Sequence, residues 1–73
     1  MTAQPAEPTF EEARAELERI VAELESGRAD LERAVRLWER GEELYRLCVG
    51  KLDAAEGKIE ELGRRAEAVR PEP

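Results

Sequence analysis

A long run of apolar residues at alternating steps of three and four is the feature that most constrains this chain. The run occupies the second half of the sequence and comprises Leu31, Ala34, Trp38, Gly41, Tyr45, Cys48, Leu52, Ala55, Ile59 and Leu62. This spacing places the side chains on one helical face, and over several heptads it is typical of a coiled-coil seam. Leu37 and Leu44 flank the seam one heptad apart, so the apolar face is wider than a two-stranded coiled coil needs. The pattern predicts one long helix over about residues 31–62.

A shorter amphipathic segment precedes the seam. Its apolar face consists of Phe10, Ala13, Leu17, Ile20, Val21 and Leu24. Thr9 followed by Glu12 fits a capping box, in which each side chain accepts a hydrogen bond from the other residue's backbone N–H. Gly27 suits the left-handed conformation that ends helices, and Asp30 is a good N-cap for the next one. These signals predict a first helix over about residues 10–25 and a tight turn over 26–30.

A turn this short forces the two helices to run antiparallel. We therefore predict an all-α fold, an antiparallel two-helix hairpin over residues 9–63 with a longer second helix and a coiled-coil-like seam. The predicted hairpin core comprises Phe10, Leu17, Ile20, Leu24, Leu31, Trp38 and Tyr45. Prolines at both ends predict a disordered N-terminal tail over residues 1–8 and a C-terminal tail over 64–73.

The second predicted helix is about twice as long as the first, roughly 48 Å against roughly 24 Å. Nothing in a two-helix hairpin covers the overhang, and a bare apolar stripe predicts association with itself or with another helical protein. The predicted partner interface comprises Cys48, Leu52, Ala55, Ile59 and Leu62, with Leu37 and Leu44 as a flanking alternative. A domain of 73 residues seldom buries enough apolar surface to be stable alone, which also favours a partner.

Charge and composition exclude several classes of function. The net charge of −6, with 12 basic residues interleaved among 18 acidic ones, repels a phosphate backbone, so we expect no direct nucleic-acid binding. A short basic stripe of Arg33, Arg36 and Arg40 is surrounded by acidic residues, and we interpret it as solvated or protein-contacting. The sequence contains no apolar run of membrane-spanning length and no secretion signal, and its single cysteine favours a reducing cytoplasm.

The sequence offers no constellation for catalysis, and we expect no catalytic, cofactor-binding or metal-binding residue in this chain. It has no histidine, and Cys48 falls on the apolar seam, where a cysteine acts as a small hydrophobe. Neighbouring carboxylates such as Glu42 and Glu43 diverge by about 100° on a helix and do not converge on one ion. We expect the charged residues to form a solvated surface with pairs such as Glu32 to Arg36 and Glu42 to Arg46.

The order and spacing of several short segments resemble those of a known family. The segments are Phe10-Glu11-Glu12-Ala13, Leu17-Glu18-Arg19-Ile20-Val21, Leu24-Glu25-Ser26-Gly27, Leu31-Glu32-Arg33-Ala34-Val35, Trp38-Glu39-Arg40-Gly41 and Lys58-Ile59-Glu60. Together they resemble the small subunit of bacterial exodeoxyribonuclease VII. The resemblance implies a helical hairpin that binds the large catalytic subunit of a cytoplasmic enzyme, which degrades single-stranded DNA to oligonucleotides. The catalytic residues would then lie in the large subunit.

A self-assembling helical scaffold or adaptor, unrelated to nucleases, is the alternative interpretation. Both interpretations need only an apolar stripe left uncovered by the chain itself, and both allow the isolated chain to form homo-oligomers. The ordered segments of the resemblance favour the nuclease subunit.

Overall fold

The computed structural model describes residues 8–50 and 56–72, with only the backbone described at Glu56. It contains three α-helices: α1 (Phe10–Ser26), α2 (Leu31–Val49) and α3 (Glu56–Ala68). None of the residues in the two described ranges forms a β-strand. The prediction of an all-helical chain is therefore confirmed for the described residues.

The ends of α1 follow the local signals of the sequence. The backbone N–H of Glu12 donates to Thr9 Oγ1 at 3.1 Å, and the N–H of Thr9 donates to Glu12 Oε1 at 3.0 Å, which completes the capping box. Gly27 ends the helix with φ of 72°, a left-handed conformation that glycine adopts without steric cost. Both predicted signals are confirmed.

The α2 helix starts as expected but is shorter than predicted. Asp30 caps it by accepting a hydrogen bond from the N–H of Arg33 at 2.8 Å. It ends at Val49, with Gly50 as its C-cap, where the sequence predicted one helix continuing to residue 62. Glycine costs about 1 kcal/mol in a helix interior relative to alanine, so Gly50 is a weak point at which to continue a helix.

The α3 helix packs against α1 and α2 instead of extending α2. Its residues Ile59 and Leu62 are each only 3% exposed within the chain. The prediction that the second half of the seam is left uncovered by the chain is therefore wrong for these two residues. Leu52 and Ala55, which belong to the same predicted stripe, lie outside the described residues. Burying two large aliphatic side chains contributes roughly 1.5 to 3 kcal/mol each, which favours the packing of α3 against the other two helices. The helix also runs to Ala68, beyond the predicted end near residue 62.

The core lies where the three helices meet. It comprises Ala13, Leu17, Ile20, Val21, Leu24, Leu44, Cys48, Ile59 and Leu62. Leu17, Ile20 and Leu24 are buried as predicted, whereas Phe10, Trp38 and Tyr45 are only partly buried against this core. Leu31, also predicted in the core, is 51% exposed.

The buried face of α2 is rotated relative to the predicted seam. Leu44, which the sequence analysis placed on the flank, is completely buried, and Leu37 packs against the core. A helix that touches two neighbours buries the arc between them, so α3 draws Leu44 and Cys48 inward and leaves Leu31 outside. Gly41 faces α1, and a Cβ placed there would be in van der Waals contact with that helix, 3.4 Å from Ile20 Cγ2.

Ion pairs connect the helices at the surface. Arg33 Nε lies 2.7 Å from Glu23 Oε2, and Arg40 Nε lies 3.0 Å from Glu16 Oε2, so α1 and α2 are linked at two levels. Arg65 of α3 forms a two-point contact with Glu25 of α1, at 2.7 and 2.9 Å. Water and salt screen such exposed pairs, so they align the helices more than they stabilise them.

We predict that Leu44→Ala will destabilise the chain by about 2 to 5 kcal/mol, because Leu44 is fully buried among three helices. Leu31→Ala removes the same atoms from an exposed position and should change stability by less than about 0.5 kcal/mol. Urea unfolding followed by circular dichroism measures both changes. Equal effects of the two substitutions would contradict the rotated core.

Candidate protein-binding surface

One side of α2 keeps a line of apolar residues at the surface. Leu31 and Val49, 51% and 49% exposed, are the exposed large hydrophobic residues of the described chain. Val35, Trp38 and Tyr45 lie between them and are partly exposed. Together with Glu42 they alternate at steps of four and three, and we call this line the α2 stripe: Leu31, Val35, Trp38, Glu42, Tyr45 and Val49. It extends roughly 27 Å along the helix.

The α2 stripe was missed in the sequence because it shares Leu31, Trp38 and Tyr45 with the predicted seam. The stripe and the seam differ in their other members, and Val35 and Val49 belong to the α2 stripe only. Their three-four spacing was a visible signal. Choosing between the two lines required knowing which arc of α2 faces α3.

An apolar groove of about 270 Å³ opens beside the stripe between the three helices. Trp38 and Tyr45 line it from α2 and Ala66 from α3, and its apolar residues from α1 are Leu17, Ile20, Val21 and Leu24. Its charged lining residues are Glu42, Arg46 and Glu67. Ligand pockets usually measure about 300 to 1,000 Å³, so this groove suits a few side-chain atoms rather than a cofactor.

Contacts with α3 and with the segment that follows it hold the two aromatic rings of the groove. A Cβ placed on Gly63 would lie 2.8 Å from Tyr45 Cε1, so the absence of a side chain lets the Tyr45 ring approach α3. The guanidinium carbon of Arg70 lies 5.5 Å from the centre of the Trp38 ring, within the range of a cation–π interaction. The rings are therefore positioned before any partner binds.

Glu42 is the carboxylate that lies on the α2 stripe itself. Within the described residues, neither Glu42 nor Arg46 takes part in an ion pair, so the expected pair between them is not formed. Glu43, the next residue, pairs with Arg40 at 3.0 Å. The α2 stripe thus carries a carboxylate whose charge the described chain leaves unbalanced.

The basic stripe of Arg33, Arg36 and Arg40 is engaged by carboxylates of the same chain. Arg33 pairs with Glu23, and Arg36 lies 3.8 Å from Glu32. The pKa of Arg40 is raised by its hydrogen bonds to Glu16 and, next, to Glu43. A phosphate would have to displace these carboxylates, so the arrangement disfavours binding of a nucleic-acid backbone along the basic stripe.

The residues predicted to contact a partner do not form an open surface here. Cys48, Ile59, Leu62 and Leu44 are buried in the core, and Leu37 packs against it. Leu52 and Ala55 lie outside the described residues. A partner contact through the buried residues stays a prediction, and it requires α3 to leave the core.

The described residues contain no metal-binding cluster, no unpaired buried polar side-chain atom and no membrane-spanning helix. Among residues 8–50 and 56–72, no three His, Cys, Asp or Glu side chains come together in a way that could hold a metal ion. Cys48 is buried in the core, and the part of the chain that the structure describes leaves no buried side-chain polar atom without a hydrogen-bond partner. No described helix combines the length and the apolar character that a membrane crossing requires.

Comparison with known proteins identifies the family. The model of the exonuclease VII small subunit matches residues 10–61, which include all of α1 and α2 and the start of α3. This chain belongs to the exonuclease VII small subunit family. The resemblance noted in the sequence is thereby confirmed.

Several relatives carry the name exodeoxyribonuclease 7 small subunit. The protein of Cutibacterium acnes is 45% identical over 69 residues, which cover 92% of this chain and 88% of the relative. That of Acidothermus cellulolyticus is 53% identical over 52 residues, 71% of this chain and 54% of the relative. That of Caulobacter vibrioides is 54% identical over 54 residues, 74% of this chain and 64% of the relative. The chain thus spans about half to nearly nine-tenths of these relatives, and no solved structure matches it.

The ion pairs between helices predict how stability depends on pH. The pKa values of Glu16, Glu23 and Glu25 lie below their usual value, chiefly because an arginine donates a hydrogen bond to each carboxylate. A carboxyl whose folded pKa is lowered stabilises the fold above its unfolded pKa, and this contribution disappears as pH falls through the folded pKa. Stability should therefore decrease as pH falls below about 4.5, the ordinary glutamate value.

This pH dependence is tested by urea unfolding of the Glu25→Gln variant at neutral and at acidic pH. The variant should lose part of the decrease in acid, because it lacks the carboxylate that pairs with Arg65. Glu60→Gln is the matched control, since Glu60 makes no ion pair within the described residues. The same acid dependence in both variants would show that the ion pair between Arg65 and Glu25 contributes nothing to stability.

Proposed function

We propose that this chain is a non-catalytic accessory subunit that binds the large catalytic subunit of exodeoxyribonuclease VII, an enzyme that degrades single-stranded DNA to oligonucleotides. The observation that carries the proposal is the family match over residues 10–61. This range contains every residue of the α2 stripe and most of the groove. Protein binding is the activity for which these surfaces are suited.

The physical properties of the chain support a binding role. Its described residues offer no nucleophile with a base, no metal site and no converging carboxylates, while the α2 stripe leaves apolar surface uncovered. The net charge of −6 and the pairing of the basic stripe disfavour a direct hold on DNA. We accordingly assign both DNA binding and cleavage to the large subunit, in the cytoplasm.

We further propose that α1 and α2 form an antiparallel hairpin and that α3 is added to it. The ion pairs support this arrangement, because Glu23 with Arg33 lies near the turn and Glu16 with Arg40 lies farther from it. A hairpin presents the outer side of α2 to a partner along its whole length. The large subunit would then bind a prearranged surface and order few side chains on association.

Co-expression with the large subunit of the same organism tests the proposal. We expect the two chains to copurify, and we expect cleavage of single-stranded DNA from the complex and none from this chain alone. Cleavage by the purified chain would contradict a non-catalytic role. A chain that forms homo-oligomers and does not copurify with the large subunit would favour the self-assembling scaffold instead.

A further inference from the structure

The α2 stripe has the geometry of half a coiled coil. Its residues recur at steps of four, three, four, three and four, and its two ends, Leu31 and Val49, are its most exposed apolar members. A partner helix packs along such a line by placing its own side chains between these residues. An extended strand would need an open sheet edge, and the described residues contain no sheet.

The charge at Glu42 restricts which helix can bind. Glu42 lies at the middle of the stripe and makes no ion pair within the described residues. Covering it with an apolar side chain would bury an unpaired carboxylate, which is costly. A lysine or arginine on the partner would offset part of that cost and would also fix the alignment of the two helices.

A second copy of this chain does not meet that requirement. Pairing two stripes in parallel sets Glu42 against Glu42, and pairing them antiparallel about their centre sets Glu42 against Trp38. Neither arrangement supplies a cation at this level. The net charge of −6 on each copy also opposes association.

We propose that the α2 stripe binds an amphipathic helix of the large subunit that carries apolar side chains at the same spacing and a lysine or arginine facing Glu42. One of those apolar side chains enters the groove between Trp38 and Tyr45. This inference rests on the proposed function and names the surface and the chemistry of the partner. The close approach of Tyr45 to Gly63 and the contact of Arg70 with Trp38 hold the two rings that line this groove in position.

Three substitutions on exposed positions test the surface: Leu31→Glu, Val49→Glu and Glu42→Lys. Each should weaken binding of the immobilised large subunit about tenfold or more, while circular dichroism and thermal unfolding stay close to those of the unmodified chain. Two controls carry the same changes in charge away from the stripe. Ala22→Glu on α1 matches the apolar substitutions, Glu60→Lys on α3 matches Glu42→Lys, and both should bind within about threefold of the unmodified chain.

A charge exchange tests the chemistry of the partner. Replacing the basic residues of the large subunit one at a time with glutamate should yield one variant that restores binding of Glu42→Lys. The opposite result is that Glu42→Lys and Glu60→Lys weaken binding equally and that no variant of the large subunit restores it. That result would show only long-range electrostatic attraction and would contradict a lysine or arginine of the partner facing Glu42.

The remaining outcomes separate this inference from the proposed function. If the unmodified chain binds the large subunit and all three stripe variants bind equally well, the stripe is not the surface, and the proposed function stands. If the unmodified chain does not bind the large subunit, both proposals fail. If Val49→Glu abolishes self-association in sedimentation and leaves binding of the large subunit unchanged, the occupant is a second copy.

Discussion

The packing of α3 onto α1 and α2 determines which parts of this chain are core and which are surface. Ile59 and Leu62 fill the space next to Leu44, and α2 must therefore bury the arc that faces two neighbours. Because that arc is buried, the other side of α2 stays at the surface, where Leu31 and Val49 are about half exposed. One helix thus has two apolar lines, of which the inner one builds the domain and the outer one is available to a partner.

The local signals of the sequence were sufficient for the helix ends near the turn. Thr9 with Glu12, Gly27 and Asp30 act over three residues or fewer, and the structure contains each predicted cap. Leu17, Ile20 and Leu24 were also correctly assigned to the core, because α1 has a single apolar face. These features depend on neighbours in sequence and need no knowledge of the tertiary arrangement.

Long-range packing determines the features that local sequence patterns did not predict. The three-four alternation continues from Tyr45 to Leu62, and continuity alone favours one long helix over two shorter ones. Gly50 was a visible weak point, but glycine is tolerated in helices when packing holds them, so its presence did not decide the outcome. The rotation that buries Leu44 and exposes Leu31 follows from α3, whose position no local pattern encodes. The candidate surface was consequently sought on the wrong line of α2.

Charge gives the α2 stripe its specificity, because Glu42 lies on it and makes no ion pair within the described residues, whereas Glu16 and Glu43 both pair with Arg40. Trp38, the single tryptophan of the chain, lies on this stripe and reports directly on its burial. The most direct test is the fluorine resonance of Trp38 in a chain labelled with 5-fluorotryptophan, measured with and without unlabelled large subunit. We expect the resonance to shift on binding and to lose its sensitivity to exchange of H₂O for D₂O. An unchanged resonance in a fully formed complex would contradict burial of the α2 stripe by the large subunit.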